Sequence, residues 1–368
     1  MPKGVTYIVG RSARKFDAIY ARYLGWKKAF EFYSSDIKLI SPNFDLIHEK
    51  SEDGLIIRLI KSSLCAIYIF FKIFFKSRKE SIFIISSPPF VGAIFACLSC
   101  YISKKKYILE IRDPYPRLFF ELFDNNKSYT IWLLRLIEKF LYQKADQIIV
   151  TENFDRLPEL VPFKNKTFLV RNGAIDHNNK DINNFEMRYH EIFNKIQIPN
   201  NKLINIVHLG RIGNFQDKNL LDEEINNFLI NKNIYKIIFI GDRYNNINNK
   251  IINLGKIHPE YIPKILKYCH LGISYKRNTT SGLINIPVRI YEYLNENILV
   301  RTNKSECIKD FAIQNNCIQW ISFADEDNIE KSIILSLNRY KLKKQNGKFF
   351  RADQIKSYLK ENKNKFFL

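Results

Sequence analysis

Residues 203–240 read LINIVHLGRIGNFQDKNLLDEEINNFLINKNIYKIIFI. Two short apolar runs, Leu203–Leu209 and Tyr235–Ile240, flank a stretch with helical spacing over Asn219–Asn231. Apolar runs of this length, separated by a helical stretch, are typical of parallel strands joined by a crossover helix. This stretch therefore predicts a strand–helix–strand unit in which Gly210 follows the first strand.

The same alternation of strand-like and helical stretches runs through both halves of the chain. In the first half, Ser81–Ser86 and Lys106–Ile111 are further strand-like runs. A chain of this length usually forms two domains, and we expect two Rossmann-like, doubly wound α/β domains facing a cleft. The predicted domains are residues 1–175 and 176–345, and the polar, Asn-rich segment Asp176–Asn201 is expected to join them.

The composition is that of a globular protein with a large positive charge. Of 368 residues, 46% are apolar and 26% are charged, and 58 Lys and Arg against 37 Asp and Glu give +21. This balance excludes a wholly disordered chain, a coiled coil and a collagen-like repeat. The basic excess predicts an anionic partner: nucleic acid, a phosphorylated small molecule or an acidic membrane surface.

The sequence shows no membrane-spanning or secretory segment. No uncharged run reaches the ~18 residues that a spanning helix needs, and the first residues lack the pattern of a signal peptide. We therefore expect a soluble or peripheral protein of the cytoplasm.

Cysteine and histidine do not form a recognisable site. Cys97 and Cys100 make a C-x-x-C inside the apolar run Phe90–Ile102, where buried core thiols are favoured over a redox or zinc pair. The six histidines have no metal-binding spacing. Neither G-x-x-x-x-G-K-[ST] nor G-x-G-x-x-G occurs, which argues against a P-loop NTPase and a dinucleotide dehydrogenase.

Basic and acidic residues follow several of the predicted strands. Arg211 comes directly after Gly210, and Lys218 precedes a predicted helix, so both could contact a diphosphate at that helix N-terminus. The alternative is two solvated residues on a loop. Glu292 lies in the first turns of a helix that begins after Pro287, where a carboxylate could accept both hydroxyls of a ribose, unless it is an ordinary surface residue.

A charged pair, Arg112 and Asp113, follows the predicted strand Lys106–Ile111 in the first half. Pro114 and Pro116 make the loop after it rigid. The pair is either a structural ion pair or part of a site. No D-x-D follows a strand in the first half, so we expect no divalent metal there.

Eight segments together resemble a known family. In chain order they are SSPPFVG, LEIRDPYP, LIEKFLYQKADQIIVTE, LVRNGAID, VHLGRIGN, IIFIGDR, INLGKIHPEYIPKILKYCHLGISY and IPVRIYEYL, spanning roughly Ile82–Leu294. Their order and spacing resemble the GT-B glycosyltransferases, and within them the family-4 type that builds bacterial surface polysaccharides.

The resemblance implies a fold, a reaction and the substrate that each domain binds. It implies a nucleotide-sugar donor on the C-terminal domain and a lipid-linked or oligosaccharide acceptor on the N-terminal one, with retention of configuration and no metal or other cofactor. It also implies that residues 346–368 form a helix returning to the N-terminal domain. Nucleic acid is not an expected partner.

The resemblance also assigns residues. Arg211 matches the diphosphate arginine, and Glu292 matches the second Glu of an E-x7-E motif, the ribose binder. The first Glu of that motif falls at Ile284, so Arg289 is expected to neutralise the leaving diphosphate, beside Asp113 and Arg112 as the other catalytic residues. The remaining residues predicted for donor binding are Gly210, Lys218, Lys256, Ile257 and Tyr291.

Segment Leu55–Lys79 has two interpretations. It is apolar with interspersed basic residues, which suits a core helix with a basic end. It also suits a helix on an anionic leaflet of the cytoplasmic membrane, with Phe70, Phe71, Phe74 and Phe75 inserted. The alternative to a glycosyltransferase is a basic protein that binds nucleic acid or a membrane surface without catalysis.

Overall fold

The protein is described by a computed structural model. The structure describes residues 5–9, 18–32, 37–42, 55–76, 81–87, 90–117, 121, 129–151, 157–174, 185–213, 216–257, 261–279, 285–342 and 349–362. Among these residues, no helix is long and apolar enough to cross a membrane.

The chain divides into two units. Unit 1 consists of residues 1–172 together with 351–368, and unit 2 consists of residues 173–350. The boundaries expected from sequence, at 175/176 and 345/346, lie outside the described residues.

Twelve strands are seen in the described part of the chain. They are β1 Val5–Val9, β2 Ile37–Ile40, β3 Ser81–Ser87, β4 Lys106–Ile111, β5 Gln147–Val150, β6 Thr167–Leu169, β7 Ile204–Gly210, β8 Ile234–Gly241, β9 Ile251–Gly255, β10 Leu271–Ser274, β11 Leu299–Thr302 and β12 Ile321–Phe323. The α-helices of the same residues are α1 Ala18–Glu31, α2 Leu55–Phe74, α3 Phe90–Ile102, α4 Tyr129–Lys144, α5 Phe185–Ile196, α6 Lys218–Ile230, α7 Ile262–Leu266, α8 Val288–Asn295, α9 Glu306–Gln314, α10 Ile329–Leu337 and α11 Arg351–Glu361.

Unit 1 is a six-stranded parallel sheet with helices on both faces. Its strand order is β2-β1-β3-β4-β5-β6. Neighbouring residues of β4 point to opposite faces: Ile108 packs in one core with Trp26 of α1 and Tyr358 of α11, whereas the Tyr107 hydroxyl donates to the Leu141 carbonyl of α4 at 3.2 Å. Helices α1 and α11 therefore cover one face, and α4 the other, as right-handed crossovers require.

Unit 2 is a second six-stranded parallel sheet, ordered β12-β11-β10-β7-β8-β9. From β7 the chain builds outward through β8 and β9, and it then returns to the other side of β7 with β10. The direction of winding therefore reverses between β7 and β10. Ligands of doubly wound sheets bind outside the carboxyl ends of the strands at such a switch point.

Two expectations about elements are corrected. The segment Asp176–Asn201 is not only a linker, because α5 lies within it and belongs to unit 2. Ile196 is fully buried there, and the Asn205 side chain donates to its carbonyl at 2.5 Å. The short segment Ile318–Ile321, whose apolar ends also predict a strand, is instead a 3₁₀ turn over Ile318–Trp320, followed by β12.

The six cysteines, all within the described residues, are buried, and none of them is in a disulfide. Burial raises the pKa of the Cys97 thiol well above its ordinary value, and the neighbouring Cys100 raises it further. A thiol held protonated is a poor nucleophile and metal ligand. Both residues therefore serve as packing groups between α3 and the sheet.

Candidate functional site

The carboxyl ends of β7 and β8 meet at two glycines. Gly210 and Gly241 have φ angles of 91° and 114°, a backbone region that side chains disfavour. A Cβ on Gly241 would lie 2.6 Å from the Gly210 carbonyl oxygen, so the close approach of the two strands itself requires glycine. The two glycines leave the backbone at this edge open to a ligand.

The loop after β7 is held from the end of β8. An Asp242 carboxylate oxygen accepts the backbone N–H of Ile212 at 2.9 Å. Arg211 lies beside this bond and is exposed. Lys218 begins α6, is also exposed, and follows the N-cap Asp217, whose side chain accepts from the Leu220 N–H.

Helix α8 is fixed to the same strand ends through Tyr293. Its hydroxyl accepts the Leu209 N–H at 2.9 Å and lies 3.2 Å from the Val207 carbonyl oxygen, to which it donates. The ring fits only because residue 272 is glycine: a Cβ there would lie 2.4 Å from the Tyr293 ring. This anchoring places the first turns of α8 beside the end of β7.

Arg289 on α8 reaches back to β7. Its guanidinium Nη1 donates to His208 Nε2 at 2.7 Å, and the Gln216 side-chain oxygen Oε1 lies 3.0 Å from the same nitrogen. Because a guanidinium can only donate, the imidazole is neutral. Burial, and then the charge of Arg289, lower the pKa of His208 to about 3. A Cβ on Gly210 would lie 3.4 Å from Arg289 Nη2, so the guanidinium borders the glycine edge.

The charge of Arg289 is only partly balanced by its surroundings. Burial lowers its pKa, and the nearby groups Tyr293 and Glu292 counteract this. Glu292, one helical turn on, is half-buried, and burial raises its pKa to about 7 although Arg289 opposes the shift. The site thus keeps a fixed cation at the switch point beside a carboxyl group that can gain or lose its proton near neutrality.

Three predicted donor residues lie further from this group or face inward. Lys256 follows β9 and is exposed, while the side chain of Ile257 is buried in the main core of unit 2. The side chain of Ile257 is therefore a core group rather than a binding group. Tyr291 is buried, and its ring packs edge-on against Phe311 of α9 at 5.2 Å between centroids, so it supports α8 from within the core.

Arg112 and Asp113 lie in unit 1, directly after β4. The Arg112 N–H donates to the Ser87 carbonyl at 2.9 Å, and the Thr151 hydroxyl donates to the Arg112 carbonyl at 3.2 Å, so the loop is tied to the ends of β3 and β5. Burial, and then the positive charge of Arg22, lower the pKa of Arg112 to about 10. The pair therefore lies at the carboxyl edge of the first sheet.

Sequence reasoning missed His208 and Gln216 as parts of this site. His208 lies inside an apolar strand-like run, where a histidine is usually structural. Its position two residues before Gly210, at the strand end, was the available signal. Within the described residues, no group of His, Cys, Asp and Glu side chains is arranged to hold a metal ion.

Solved structures share this architecture. A sucrose-phosphate synthase from Thermosynechococcus elongatus has a TM-score of 0.60 and 11% identity, covering 99% of this chain and 99% of its own. HepE from Anabaena, in complex with UDP, has a TM-score of 0.55 and 10% identity over 98% and 100%. The catalytic domain of starch synthase IV from Arabidopsis thaliana, bound to ADP and acarbose, has 0.57 and 9% over 97% and 99%.

These likenesses establish the fold. No family model matches the chain, and no curated protein matches its sequence. The chain therefore has the α/β, two-domain GT-B fold that the sequence predicted, with a parallel six-stranded sheet in each unit.

Proposed function

We propose that this protein is a glycosyltransferase that takes its sugar from a nucleotide-sugar bound to unit 2. One observation carries the proposal: Arg289 of α8 lies against the glycine edge of β7, at the switch point of the second sheet. That position is where doubly wound sheets bind ligands. UDP or ADP is present in two of the structures with the same fold, which supports a nucleoside diphosphate as the ligand.

In this proposal the basic residues bind the diphosphate. Breaking the bond to the sugar places negative charge on the leaving diphosphate, and preorganised cations stabilise such charge as it develops. Arg289 borders the glycine edge, the exposed Arg211 directly follows Gly210, and Lys218 is the next basic residue after Arg211 along the chain. Because His208 already holds Arg289 in place, little reorganisation is needed when the ligand binds.

The nucleoside would be bound by the remaining predicted residues. The carboxylate of Glu292 would accept the two ribose hydroxyls, and the backbone at Lys256 and Ile257 would hold the base. Asp113 and Arg112 would act on the acceptor side, from unit 1. We propose retention of anomeric configuration and catalysis without a metal, as the family resemblance implies.

The acceptor that we propose is a lipid-linked saccharide, used in the synthesis of a bacterial surface polysaccharide. This follows from the resemblance to the family-4 type and from the net charge of +21, which suits lipid diphosphates and an anionic leaflet. The enzyme would then be peripheral on the inner face of the cytoplasmic membrane.

A thermal-shift screen tests the proposal against its alternative, a basic protein that binds nucleic acid. The screen compares UDP, GDP, ADP, CMP and dTDP with a single-stranded oligonucleotide. A ligand at 100 times its dissociation constant adds about 2.7 kcal/mol to stability. We expect one nucleotide to raise the melting temperature and the oligonucleotide to have little effect. Stabilisation by the oligonucleotide alone would contradict the proposal.

A further inference from the structure

Helix α2 exposes a continuous apolar stripe. Its members repeat at alternating spacings of three and four residues, which keeps them on one side of a helix. They are Ile57, Ile60, Leu64, Ile67, Phe71 and Phe74, and the stripe ends at Phe75 just beyond the helix. Single exposed apolar residues are common, but a contiguous patch marks a binding surface.

The stripe is the outer side of a well-packed helix. Its opposite side buries Cys65, Ala66, Ile69 and Ile73. The buried ammonium group of Lys105 donates to the Ile73 and Phe74 carbonyls, the latter at 2.9 Å, and so fixes the C-terminal end of α2. The orientation of α2 on unit 1 is therefore set, and the exposed side chains cannot be its core-facing side.

Helices α3 and α4 continue the apolar surface. All three helices follow strands added in the same direction across the sheet, so right-handed crossovers place them on one face. Phe70 of α2 packs against Phe95 of α3, and Tyr101 of α3 packs against Phe140 of α4. Exposed apolar residues on these two helices are Val91, Tyr101, Ile102, Tyr129, Trp132, Leu133 and Leu136. We call the exposed side of α2, α3 and α4 the three-helix face.

The charges on the three-helix face have one sign. Helices α2 and α3 contain no Asp or Glu, and the single acidic residue of α4, Glu138, is buried and accepts from the Tyr142 hydroxyl at 2.6 Å. Basic residues of these helices that reach solvent are Lys61, Lys72, Arg135, Lys139 and Lys144. A protein partner is usually met by charges of both signs at the rim, whereas an anionic lipid surface requires only cations.

A recess at one end of the face has the same chemistry. Tyr68, Phe71 and Phe75 line it together with Lys72 and Lys76, around a volume of about 420 Å³. Aromatic walls with two ammonium groups suit the boundary between lipid headgroups and acyl chains, where aromatic residues and lysines concentrate.

We propose that the three-helix face docks unit 1 on an anionic lipid bilayer. The aromatic and aliphatic side chains enter the interface to a shallow depth, and the basic residues contact the headgroups. The inference rests on the proposed function only for the choice of membrane, since vesicle binding itself needs no transfer reaction. It also revises the sequence expectation: Phe71, Phe74 and Phe75 are exposed, whereas Phe70 is half-buried against α3.

Vesicle flotation of the full chain tests the apolar part of this surface. The variant combines Ile60→Ser, Phe75→Ser, Tyr129→Ser and Trp132→Ser, at residues that are 55, 77, 75 and 54% exposed. The control combines Ile230→Ser and Ile334→Ser in unit 2, at residues that are 84 and 58% exposed. On vesicles of phosphatidylglycerol and phosphatidylcholine, we expect the variant to lose at least 100-fold in partitioning while the control binds like wild type.

Charge is tested with Lys72→Glu, Lys76→Glu and Lys139→Glu, against Lys232→Glu and Lys309→Glu as the control in unit 2. Each basic residue near an anionic surface is worth about 1 kcal/mol, or about fivefold in partitioning. We expect the face variant to lose binding, the control to keep most of it, and pure phosphatidylcholine vesicles to bind weakly. The proposal would be overturned if the face variant bound anionic vesicles as well as the control does. It would also be overturned if the wild type bound neutral vesicles as well as anionic ones.

Two further readings separate the possible failures. The melting temperature, with and without the stabilising nucleoside diphosphate, is measured on every variant. If the wild type is folded and binds the nucleotide but does not bind anionic vesicles, the docking proposal is wrong and the proposed function is unaffected. Light scattering shows whether the wild type is a dimer. If it is a dimer that binds no vesicles, and the apolar substitutions dissociate it, the three-helix face contacts a second copy of the chain and the proposal is overturned. If a combined variant melts early, the single Phe75→Ser and Trp132→Ser variants decide by the same criteria.

Discussion

Among the described residues, the Arg289 guanidinium donates to an imidazole and not to a carboxylate, which has a consequence for binding. A carboxylate partner would neutralise the guanidinium, whereas neutral His208 orients it through Nε2 and leaves its charge available to an anion. We regard His208 as a positioning residue for the proposed diphosphate site.

Replacing His208 separates orientation from folding. His208→Leu removes the acceptor of the Arg289 hydrogen bond, and His208→Gln can restore an acceptor at a similar distance. A hydrogen bond to a charged group is worth about 1.5–3 kcal/mol, so we expect His208→Leu to weaken UDP binding about 10- to 100-fold in calorimetry. His208→Gln should retain more affinity than His208→Leu. Equal loss in the two variants at equal melting temperature would show that the acceptor is irrelevant.

Glu292 makes stability depend on pH in a defined direction. Its pKa is raised from an ordinary 4.5 to about 7 in the folded chain, so the folded state holds this proton more tightly than the unfolded state. Stability from this group is therefore complete below about pH 4.5 and is lost as pH rises to about 7.

Glu292→Gln, which imitates the protonated form, isolates this effect. Denaturant unfolding of wild type and variant is compared at several pH values from 4.5 to 8. We expect the stability of wild type relative to the variant to fall across that range. A difference that stays constant with pH would mean that the carboxyl titrates normally.

At the scale of elements, the site depends on how α8 is attached to the sheet. The Tyr293 hydroxyl accepts a hydrogen bond from the backbone N–H of Leu209, which is buried and needs an acceptor. Tyr293→Phe leaves that donor without its partner, and such a loss costs about 1–3 kcal/mol. We expect this loss in denaturant unfolding, accompanied by weaker nucleotide binding because Arg289 lies on α8. The half-buried Tyr235 provides the control, since Tyr235→Phe should change neither quantity much.

Most strands of both sheets were predictable, whereas β12 and several helices were not. Buried parallel strands such as β7 and β8 appear as short apolar runs, whatever their partners in space. Helices α9 and α10 were overlooked, although Ser305 and Asn328 precede them as N-caps and accept the Ile308 and Lys331 N–H groups. Helix α5 lies in an Asn-rich segment. The polar composition of that segment predicts a linker and obscures the helical spacing of its apolar residues.

Sequence reasoning proposed charged residues for the candidate site and did not propose their partners. Gly210 and Arg211 lie at a strand end, which a single sequence shows directly, whereas Arg289 was proposed from the family resemblance. The contact between Arg289 and His208 joins residues 81 positions apart. Such a contact depends on strand order, and strand order is a property of the folded sheet that local spacing does not encode.

For the whole molecule, we propose that arginines of the chain itself neutralise the charge of the leaving diphosphate. Transfer activity, measured as release of nucleoside diphosphate from a nucleotide-sugar in the presence of acceptor, is therefore expected to survive EDTA. The control is a metal-dependent glycosyltransferase inactivated under the same conditions. Loss of activity with EDTA and recovery with Mn²⁺ or Mg²⁺ would assign the role to a metal ion instead.

Calorimetric titration of UDP, or of the nucleotide that stabilises the chain best, decides whether a diphosphate binds at the ends of β7 and β10. It compares wild type with Arg211→Ala, Arg289→Ala and the exposed control Lys232→Ala. Each charge-assisted contact to the diphosphate is worth about 1.5–3 kcal/mol. We expect the two arginine variants, folded as judged by their melting temperatures, to bind the nucleotide about 10- to 100-fold more weakly, and Lys232→Ala to bind it like wild type. Unchanged affinity in both folded arginine variants would contradict a diphosphate site at the ends of β7 and β10.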